Sequence, residues 1–206
     1  MTKYSTEQEA FWAGEFGDAY IGRNQQPALV AANTALFGKV LARCGEVASV
    51  IELGANIGLN LVALRSLLPH ARLRAVEINS NAIDQLRRLD GVDVVHGSLL
   101  QYEPMEPADL AFTKTVLIHV APEDLPRAYD VLYRSARRYV LVAEYYHPVP
   151  TEVVYRGHTG RLFKRDFAGD LLGRYADLRL VDYGFVYRRD AFPQDDISWF
   201  LLEKRT

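Results

Sequence analysis

The stretch Ala48-Ser49-Val50-Ile51-Glu52-Leu53-Gly54-Ala55-Asn56-Ile57-Gly58 decides the fold. Its first half is a β-branched run that is typical of a short strand, and Gly54 ends this run. A helical pattern follows from Ile57 to Leu68 and stops before Pro69. We therefore predict a strand, a tight glycine turn and a helix, which together form one unit of an α/β sheet.

The same alternation of strand and helix continues along the chain. Because a strand, a crossover helix and a second strand give parallel pairing, this order predicts a parallel sheet with helices on both faces, which is a doubly wound architecture. The predicted strands span Leu73 to Ile78, Val92 to His96, Leu110 to Val116 and Tyr139 to Ala143, and the predicted helices span Ser80 to Leu89 and Pro122 to Arg137.

The C-terminal part ends the alternation. Strand-like runs at Leu178 to Arg188 and Ile197 to Glu203 are joined by a connection that is too short for a crossover helix, so the last strand must run antiparallel to its neighbour. This order of elements resembles that of class I S-adenosylmethionine (SAM) methyltransferases. The resemblance implies an α/β fold with a doubly wound, mostly parallel seven-stranded Rossmann-like sheet and an antiparallel C-terminal hairpin.

The N-terminal part has helical periodicity. Trp12, Phe16 and Tyr20 share one face of a predicted helix from Thr6 to Asn24, and a second helix is expected from Pro27 to Val40. We find no repeat, low-complexity tract or linker. We therefore expect a single domain over residues 1–206, with a helical cover over 1–45 and an α/β core over 48–204.

Composition and charge exclude several classes of protein. The chain has 206 residues, 49% of them apolar, and a net charge of −2, so neither nucleic acid nor a membrane is an expected partner. The single Cys44 excludes a disulfide framework, and the scattered histidines do not suggest a metal site. No stretch approaches the roughly 20 apolar residues of a spanning helix, and the opening residues lack a signal-peptide pattern, so we expect a cytoplasmic protein.

The glycine turn is the first part of a predicted nucleoside site. Ligands of open α/β sheets bind beyond the carboxyl ends of the strands, and Gly54 and Gly58 leave room for a ligand close to the backbone. Asn56 tolerates left-handed dihedral angles. The dinucleotide fingerprint requires glycine where Asn56 and Leu59 stand, so NAD is disfavoured, and no phosphate-binding loop of the P-loop type is present.

Two further elements follow at suitable intervals. Glu77 ends the second predicted strand 19 residues after Gly58, close to the roughly 20 expected of an acid that binds ribose hydroxyls. Ser98 follows the third strand 21 residues later and offers a hydroxyl to the edge of an adenine, while Leu99 offers an apolar surface to the ring. The three elements in this order predict a nucleoside-containing cofactor.

Several longer stretches resemble a narrower family, the pseudaminic acid biosynthesis-associated methylases, which are class I SAM-dependent methyltransferases. The resemblance covers most of the chain from Phe11 to Gly169, and it implies SAM as cofactor and S-adenosylhomocysteine as product. The resemblance also implies that SAM is bound by Glu52, Gly54, Asn56, Gly58, Glu77 and Ser98. The matching stretches are FWAGEFGDAY at 11–20 with Arg23-Asn24, TKTVLIHV at 113–120, AEYYHP at 143–148, YRGH at 155–158 and LFKRDFAG at 162–169.

Candidate acceptor-side residues follow the fourth and fifth strands. His119 either takes a proton from the acceptor, since its ordinary pKa is about 6.5, or only orders its loop. Glu144, Tyr145 and Tyr146 are expected where an acceptor lies, because phenol rings hydrogen-bond and stack on cations, although tyrosines also simply cover strand ends. Lys114 is interpreted as a structural residue of its strand.

Two further segments are expected to cover the site. The long loop between Glu152 and Asp166 is rich in basic side chains that suit a carboxylate or phosphate, or alternatively are merely solvated. Its candidates for substrate binding are Arg156, His158, Arg165 and Asp166. The N-terminal helix is expected to act as a lid, in which Tyr20 and Arg23 hold the methionine carboxylate of SAM.

The sequence therefore predicts a SAM-dependent methyltransferase that modifies an oxygen or nitrogen of a small polar metabolite. A nonulosonic sugar is the acceptor that the family resemblance suggests. An arginine-like guanidine or amine is the alternative, because Glu144, Glu152 and Asp166 lie among tyrosines. A non-catalytic nucleotide-binding module is the alternative from a different class, and the oligomeric state stays open.

Overall fold

A computed structural model describes residues 4–23 and 27–205. The strands, in chain order, are β1 Ser49–Leu53, β2 Arg72–Glu77, β3 Val92–His96, β4 Ala108–Lys114, β5 Ala136–Glu144, β6 Thr151–Glu152, β7 Phe163–Lys164, β8 Leu178–Val186 and β9 Ile197–Lys204. The α-helices are α1 Glu7–Ala13, α2 Glu15–Arg23, α3 Pro27–Leu41, α4 Leu59–Leu67, α5 Ser80–Leu86, α6 Leu125–Ser135 and α7 Phe167–Arg174.

Seven of these strands form one sheet in the order β3-β2-β1-β4-β5-β9-β8. The first five in chain order pair in parallel, while β9 runs antiparallel between β5 and β8. The predicted fold class, a mostly parallel seven-stranded sheet with an antiparallel C-terminal hairpin, is therefore confirmed. The strand order reverses between β1 and β4, and open α/β sheets bind their ligands beyond the carboxyl ends of the strands at such a point.

The core lies on both faces of the sheet. Alternate residues of β1 show this, since Val50 packs into one buried cluster and Ile51 into the other. The first cluster includes side chains of α3 and α4, and the second includes side chains of α6 and α7. Burial on both faces explains why every residue of β1 is buried rather than every second one.

The N-terminal region differs from the expected single helix. It forms two helices, because Gly14 adopts an extended conformation and ends α1. Gly17, in α2, approaches the carbonyl of Trp12 so closely that a Cβ atom would lie 1.9 Å from that oxygen, and glycine therefore permits the sharp turn between the helices. Asn24, which ends the predicted helix, lies outside the described residues.

Other element boundaries differ by a few residues. The helix expected from Pro122 begins at Leu125 and ends at Ser135, because β5 starts already at Ala136. The loop expected over 152–166 contains the short antiparallel pair β6 and β7, which sequence patterns did not indicate. In the part of the chain that the structure describes, no helix is both long and apolar enough to span a membrane.

Candidate active site

A cavity of about 250 Å³ lies beyond the carboxyl ends of β1 to β4. Its floor is formed by the turns that follow these strands, and α1 and α2 lie over it, while α3 and the loop between β8 and β9 close one end. The residues of the sequence prediction that line the cavity are Tyr20, Gly54, Asn56, Glu77, Ser98, Leu99 and His119. The structure thus brings together residues from five separate segments of the chain.

The glycine turn requires its glycines for two different reasons. Gly54 and Gly58 both have a φ of +82°, a conformation that favours glycine. A Cβ atom on Gly54 would lie 2.6 Å from the side chain of Val116, which follows β4, whereas one on Gly58 would contact Leu86 and Leu89 at 2.7 and 2.6 Å. Gly54 therefore lets the turn approach the next strand of the sheet, and Gly58 lets α4 pack against α5.

Glu77 is held in place by the backbone. Its Oε2 accepts a hydrogen bond from the N–H of Asn56 at 2.7 Å, and its Oε1 accepts from the N–H groups of Ile78 and Asn79, both at 2.8 Å. The three hydrogen bonds lower the pKa of Glu77, but burial outweighs them and raises it above its ordinary value. Since a carboxylate has about four acceptor positions, Glu77 retains one for a ligand hydroxyl.

Glu52 lies under the turn and is not among the residues that line the cavity. It is buried, and its Oε1 accepts a hydrogen bond from Asn60 Nδ2 at 2.5 Å. Burial raises the pKa of Glu52 to about 8. Glu52 thus contacts a lining residue, Asn60 at the start of α4, and its role in cofactor binding stays a prediction.

Lys114 has a position that the sequence interpretation missed. It ends β4 and lines the cavity, where it is the one lysine or arginine among the described lining residues. Burial lowers its pKa, against the charges of Glu52, Asp195 and Glu144, which raise it. The one positive side chain of the described lining therefore lies next to the end of β1.

The end of the cavity near β3 carries Ser98 and a residue that the sequence analysis did not single out, Glu9 of α1. The hydroxyl of Ser98 donates to Glu9 Oε1 and accepts from the N–H of Leu100 at 2.9 Å. Leu99 begins a short 3₁₀ turn beside them, and Ile78 adds a second apolar side chain to the lining. This end therefore combines apolar surfaces with a carboxylate.

His119 is a neutral histidine in the cavity wall. Its Nδ1 lies 2.6 Å from the carbonyl oxygen of Arg161, and because a carbonyl only accepts, Nδ1 carries the proton. Burial lowers the pKa of His119 to about 4. The ring contacts Trp12 and Tyr155, with centroid distances of 4.4 and 5.1 Å. The lone pair on Nε2 is therefore the reactive feature of this side chain.

Glu144, which ends β5, and the two tyrosines that follow it are not part of the cavity lining. Glu144 is buried, and its carboxylate accepts hydrogen bonds from the N–H groups of Val116, Leu117 and Ile118 at 3.1 to 3.4 Å. Burial raises the pKa of Glu144 to about 7. The contacts of this carboxylate fix the loop after β4, which carries His119.

The two tyrosines beside it differ in exposure. Tyr145 is half-buried, with Lys164 Nζ 5.3 Å from its ring centroid, and burial raises the pKa of its hydroxyl. Tyr146 is 42% exposed and packs against Phe200. Tyr145 therefore lies nearer to the interior, and Tyr146 lies on the surface.

The long loop contributes less to the cavity than expected. Arg165 forms an ion pair with Asp170 at 2.7 Å, and the side chain of Asp166 caps α7 by accepting from the N–H of Gly169. Arg156 and His158 are exposed, and the His158 ring packs against Phe11 of α1. None of these four residues is among those that line the cavity.

Tyr20 and Arg23 are separated by the structure. Tyr20 lines the cavity, and its ring lies edge-on to Trp12 at a centroid distance of 5.2 Å. Arg23 is exposed and lies over the rings of Phe16 and Tyr20, with its Cζ at 5.4 and 5.5 Å from the two centroids. Arg23 is not part of the cavity lining.

The closed end of the cavity contains a pair of buried amides that no sequence signal indicated. Gln194, in the β8–β9 loop, donates from Nε2 to Asn33 Oδ1 of α3 at 3.0 Å. Both line the cavity, together with the exposed Asp195. In residues 4–23 and 27–205, no group of three or more His, Cys, Asp and Glu side chains is arranged to hold a metal ion.

Comparison with known proteins supports the fold. No family model matches the chain, and no curated protein matches it, so the resemblance to the pseudaminic acid-associated methylases stays a prediction. The chain is similar to the SAM-bound amino pentose methyltransferase CalS10 of Micromonospora echinaspora, with a TM-score of 0.65, 12% identity and coverage of 92% of this chain and 96% of that one.

Two further solved structures are similar. One is the 1,6-didemethyltoxoflavin-N1-methyltransferase of Burkholderia thailandensis with S-adenosylhomocysteine bound. Its TM-score is 0.69 at 18% identity, and the match covers 96% of this chain and 87% of that one. The N-methyltransferase NodS of Bradyrhizobium japonicum gives a TM-score of 0.66, 17% identity and coverage of 89% and 99%. At these identities the likeness is one of fold, and the chain has the Rossmann-like fold of these small-molecule methyltransferases.

Proposed function

We propose that the chain is a SAM-dependent methyltransferase that transfers a methyl group to an oxygen or nitrogen of a small polar metabolite. One observation carries the proposal. A single carboxylate, that of Glu77, is fixed by three backbone N–H groups beside a glycine turn, at the end of the cavity floor where a ribose would lie. The acceptor position that Glu77 retains suits one hydroxyl of a ribose.

The residues of the cavity fit SAM along its whole length. The free acceptor position of Glu77 suits a ribose hydroxyl, and Leu99 and Ile78 suit the faces of an adenine. Gly54, Lys114 and Tyr20 line the part of the cavity that suits the methionine part. When bound, SAM would supply an electrophilic methyl carbon, with S-adenosylhomocysteine as the leaving group once the bond from the methyl carbon to sulfur breaks.

Methyl transfer asks little covalent chemistry of a protein. The chain must align the acceptor with the methyl carbon and exclude water. Trp12 and Tyr20 cover the cavity from above, and the Nε2 lone pair of His119 accepts a hydrogen bond from an acceptor hydroxyl or amine. With a pKa near 4, His119 is uncharged at neutral pH and orients such a group. As a base it binds the proton of the acceptor only weakly.

A nonulosonic sugar is the acceptor that we favour. The stretches at 143–148 and 155–158 carry the resemblance to a family associated with surface sugars. Lys114 is a suitable partner for the carboxylate of such a sugar, and the amides of Asn33 and Gln194 suit its hydroxyl and amide groups. CalS10, one of the similar structures, is described as an amino pentose methyltransferase.

A guanidine or amine, such as arginine, is the second candidate acceptor. The described lining contains four carboxylates, those of Glu9, Glu77, Asp124 and Asp195, against one lysine. A negative lining attracts a cationic acceptor, and a carboxylate positions a guanidinium whose own pKa is above about 12. Asp195 is the exposed acid at the same end of the cavity as Lys114.

Calorimetric titration of the full chain with SAM, S-adenosylhomocysteine and NAD tests the cofactor. We expect binding of the first two and none of NAD. Binding of NAD alone would favour a dehydrogenase, and binding of SAM without turnover of any acceptor would favour a non-catalytic module. Mass-spectrometric screening of acidic sugars against arginine and related amines then identifies the acceptor and the methylated atom.

A further inference from the structure

We propose that Glu9 of α1 recognises the base of the bound nucleoside by accepting a hydrogen bond from its exocyclic amino group. The inference rests on the proposed function, since it concerns the adenosine part of SAM. It assigns base selection to a residue of the N-terminal helix rather than to the sheet. The nearest element of the sheet at this point is the turn after β3, which carries Ser98.

Glu9 is placed for this role at the β3 end of the cavity. Glu9 is only 7% exposed and belongs to the same cavity lining as Leu99 and Ile78. An adenine between those two side chains would turn its polar edge away from the ribose, which Glu77 holds. The carboxylate of Glu9 is bonded directly to the residue after β3, Ser98, which the sequence assigns to that edge.

The hydrogen bonds of Glu9 leave one oxygen incompletely used. Its Oε2 accepts from the N–H and the hydroxyl of Ser5, both at 2.6 Å, and from the N–H of Thr6 at 3.1 Å. Its Oε1 accepts one hydrogen bond, from the Ser98 hydroxyl. Because each carboxylate oxygen has about two acceptor positions, Oε1 retains one position for an N–H group of a ligand.

Ser98 is less suited to accept from the amino group. Its one hydroxyl proton is donated to Glu9, and the hydroxyl oxygen already accepts from the N–H of Leu100. A charged carboxylate also accepts more strongly than a neutral hydroxyl. The Ser98 hydroxyl therefore orients Glu9, and Glu9 contacts the base.

The protonation state of Glu9 gives the contact its selectivity. Burial raises the pKa of this carboxyl, but the hydrogen bonds from Ser5, Ser98 and Thr6 outweigh burial and lower it. Glu9 is therefore ionised at neutral pH and only accepts hydrogen bonds. Adenine presents an amino group at position 6, whereas hypoxanthine presents a carbonyl oxygen there, which an ionised carboxylate repels.

Asp124 is the competing acid at this end of the cavity. It lines the cavity and precedes α6, but it is more exposed than Glu9. Burial and the neighbouring charges of Glu123 and Glu9 raise its pKa. A better solvated carboxylate discriminates less between a ligand amino group and a ligand carbonyl, so we assign the recognition to Glu9.

The test compares two ligands that differ at position 6 of the base, S-adenosylhomocysteine and S-inosylhomocysteine, by calorimetry. We expect the natural chain to prefer the adenosine ligand by about 10- to 100-fold, as for a hydrogen bond to a charged group. Glu9→Gln should reduce this preference to less than about threefold, because its amide offers either a donor or an acceptor. Glutamine still satisfies the N-terminal capping pattern of α1, so the helix is retained.

Two matched variants complete the experiment. Glu7→Gln removes a neighbouring carboxylate of α1 that is outside the cavity lining and should retain the preference. The inference is overturned if Glu9→Gln keeps the preference, or if Asp124→Asn is the variant that loses it. If the natural chain binds neither ligand, the proposed function itself fails, whereas binding with a preference that is independent of Glu9 refutes only this inference.

Discussion

The floor and the roof of the cavity are held together by different forces. The floor consists of the turns after β1 to β4, and in the first two of these turns backbone N–H groups bond Glu77 and glycines permit close approach. The roof consists of α1 and α2, which pack against the segment 151–166, and it is held by side chains. The proposed cofactor site is therefore built into the turns of the sheet, whereas the cover rests on side-chain contacts.

The roof contacts are mainly aromatic. Trp12 lies against His119, and Phe16 lies 5.8 Å from the ring of Tyr155. The polar contacts of the roof are made by side chains. Asn79 Nδ2 donates to the carbonyl of Trp12 at 3.2 Å and to Asp18 Oδ1 at 2.8 Å, and Gln8 Nε2 donates to the carbonyl of Gly160 at 3.1 Å. Because few backbone hydrogen bonds cross between roof and floor, we expect substitutions in the floor to have larger effects on stability than substitutions in the roof.

The largest effect is expected from Gly54→Ala in the floor. The alanine would have to adopt a φ of +82° and would place its Cβ 2.6 Å from the side chain of Val116. Left-handed strain of about 1–2 kcal/mol and overpacking of about 1–3 kcal/mol should together lower the free energy of unfolding by about 2–5 kcal/mol. Urea unfolding measures this difference.

Gly173→Ala is the matched control for this substitution. Gly173 lies in α7, and a Cβ atom there would have nothing within 4 Å. We expect it to raise stability by up to about 1 kcal/mol, since alanine favours a helix. Equal losses in both variants would contradict the explanation by close approach.

The second effect concerns the ligand rather than the fold. Glu77→Gln replaces an acceptor of three backbone hydrogen bonds by an amide that has one acceptor oxygen, so the ribose contact and part of the turn geometry are lost. We expect the affinity for S-adenosylhomocysteine to fall about 100-fold, which is about 3 kcal/mol. Calorimetry measures the affinity, and Asp93→Asn, at an exposed position of β3, should leave it unchanged.

The floor could be predicted from the sequence because its signals are local. The predicted and observed bounds of β3 agree, and Gly54, Asn56 and Gly58 have the positive φ angles that a tight turn requires. Glu77 ends its strand as expected. Each of these features depends on a few neighbouring residues, which a sequence pattern records.

The roof and the acceptor end could not be predicted in the same way. Glu9 and Ser98 are 89 residues apart, and Asn33 and Gln194 are 161 apart, so no spacing rule connects them. The direction of a side chain is also hidden in the sequence. Glu144 follows the expected strand, but its carboxylate turns to the N–H groups of the loop after β4.

The third effect is a pH dependence where roof and floor meet. The unfolded chain binds a proton at His119 with the ordinary pKa of 6.5, whereas burial lowers the pKa to about 4 in the folded chain. The contribution of this group to stability is therefore fully present above pH 6.5 and is lost as the pH falls toward 4. Between pH 7 and pH 5 we expect a loss of about 2 kcal/mol.

Urea unfolding at pH 5, 6 and 7 isolates this contribution. Between pH 7 and pH 5, the free energy of unfolding of His119→Asn should fall by about 2 kcal/mol less than that of the natural chain. His70→Gln, at an exposed position, should retain the full loss. If His119→Asn and the natural chain lose the same stability over this range, the imidazole is not buried as a neutral group.

The smallest effect is expected from the one ion pair between α1 and the long loop. Glu7 lies 3.2 Å from Arg161, but its side chain is 84% exposed, and exposed ion pairs contribute at most about 1 kcal/mol. Arg161 also lies over the ring of Phe11, with its Cζ at 5.2 Å from the centroid, so replacing the arginine would remove packing as well as charge.

Glu7→Gln removes the charge alone. We expect less than about 0.5 kcal/mol of lost stability by urea unfolding, with little dependence on salt. A loss above about 1 kcal/mol that disappears in high salt would mean that charge, and not aromatic packing, holds the roof to the rest of the molecule.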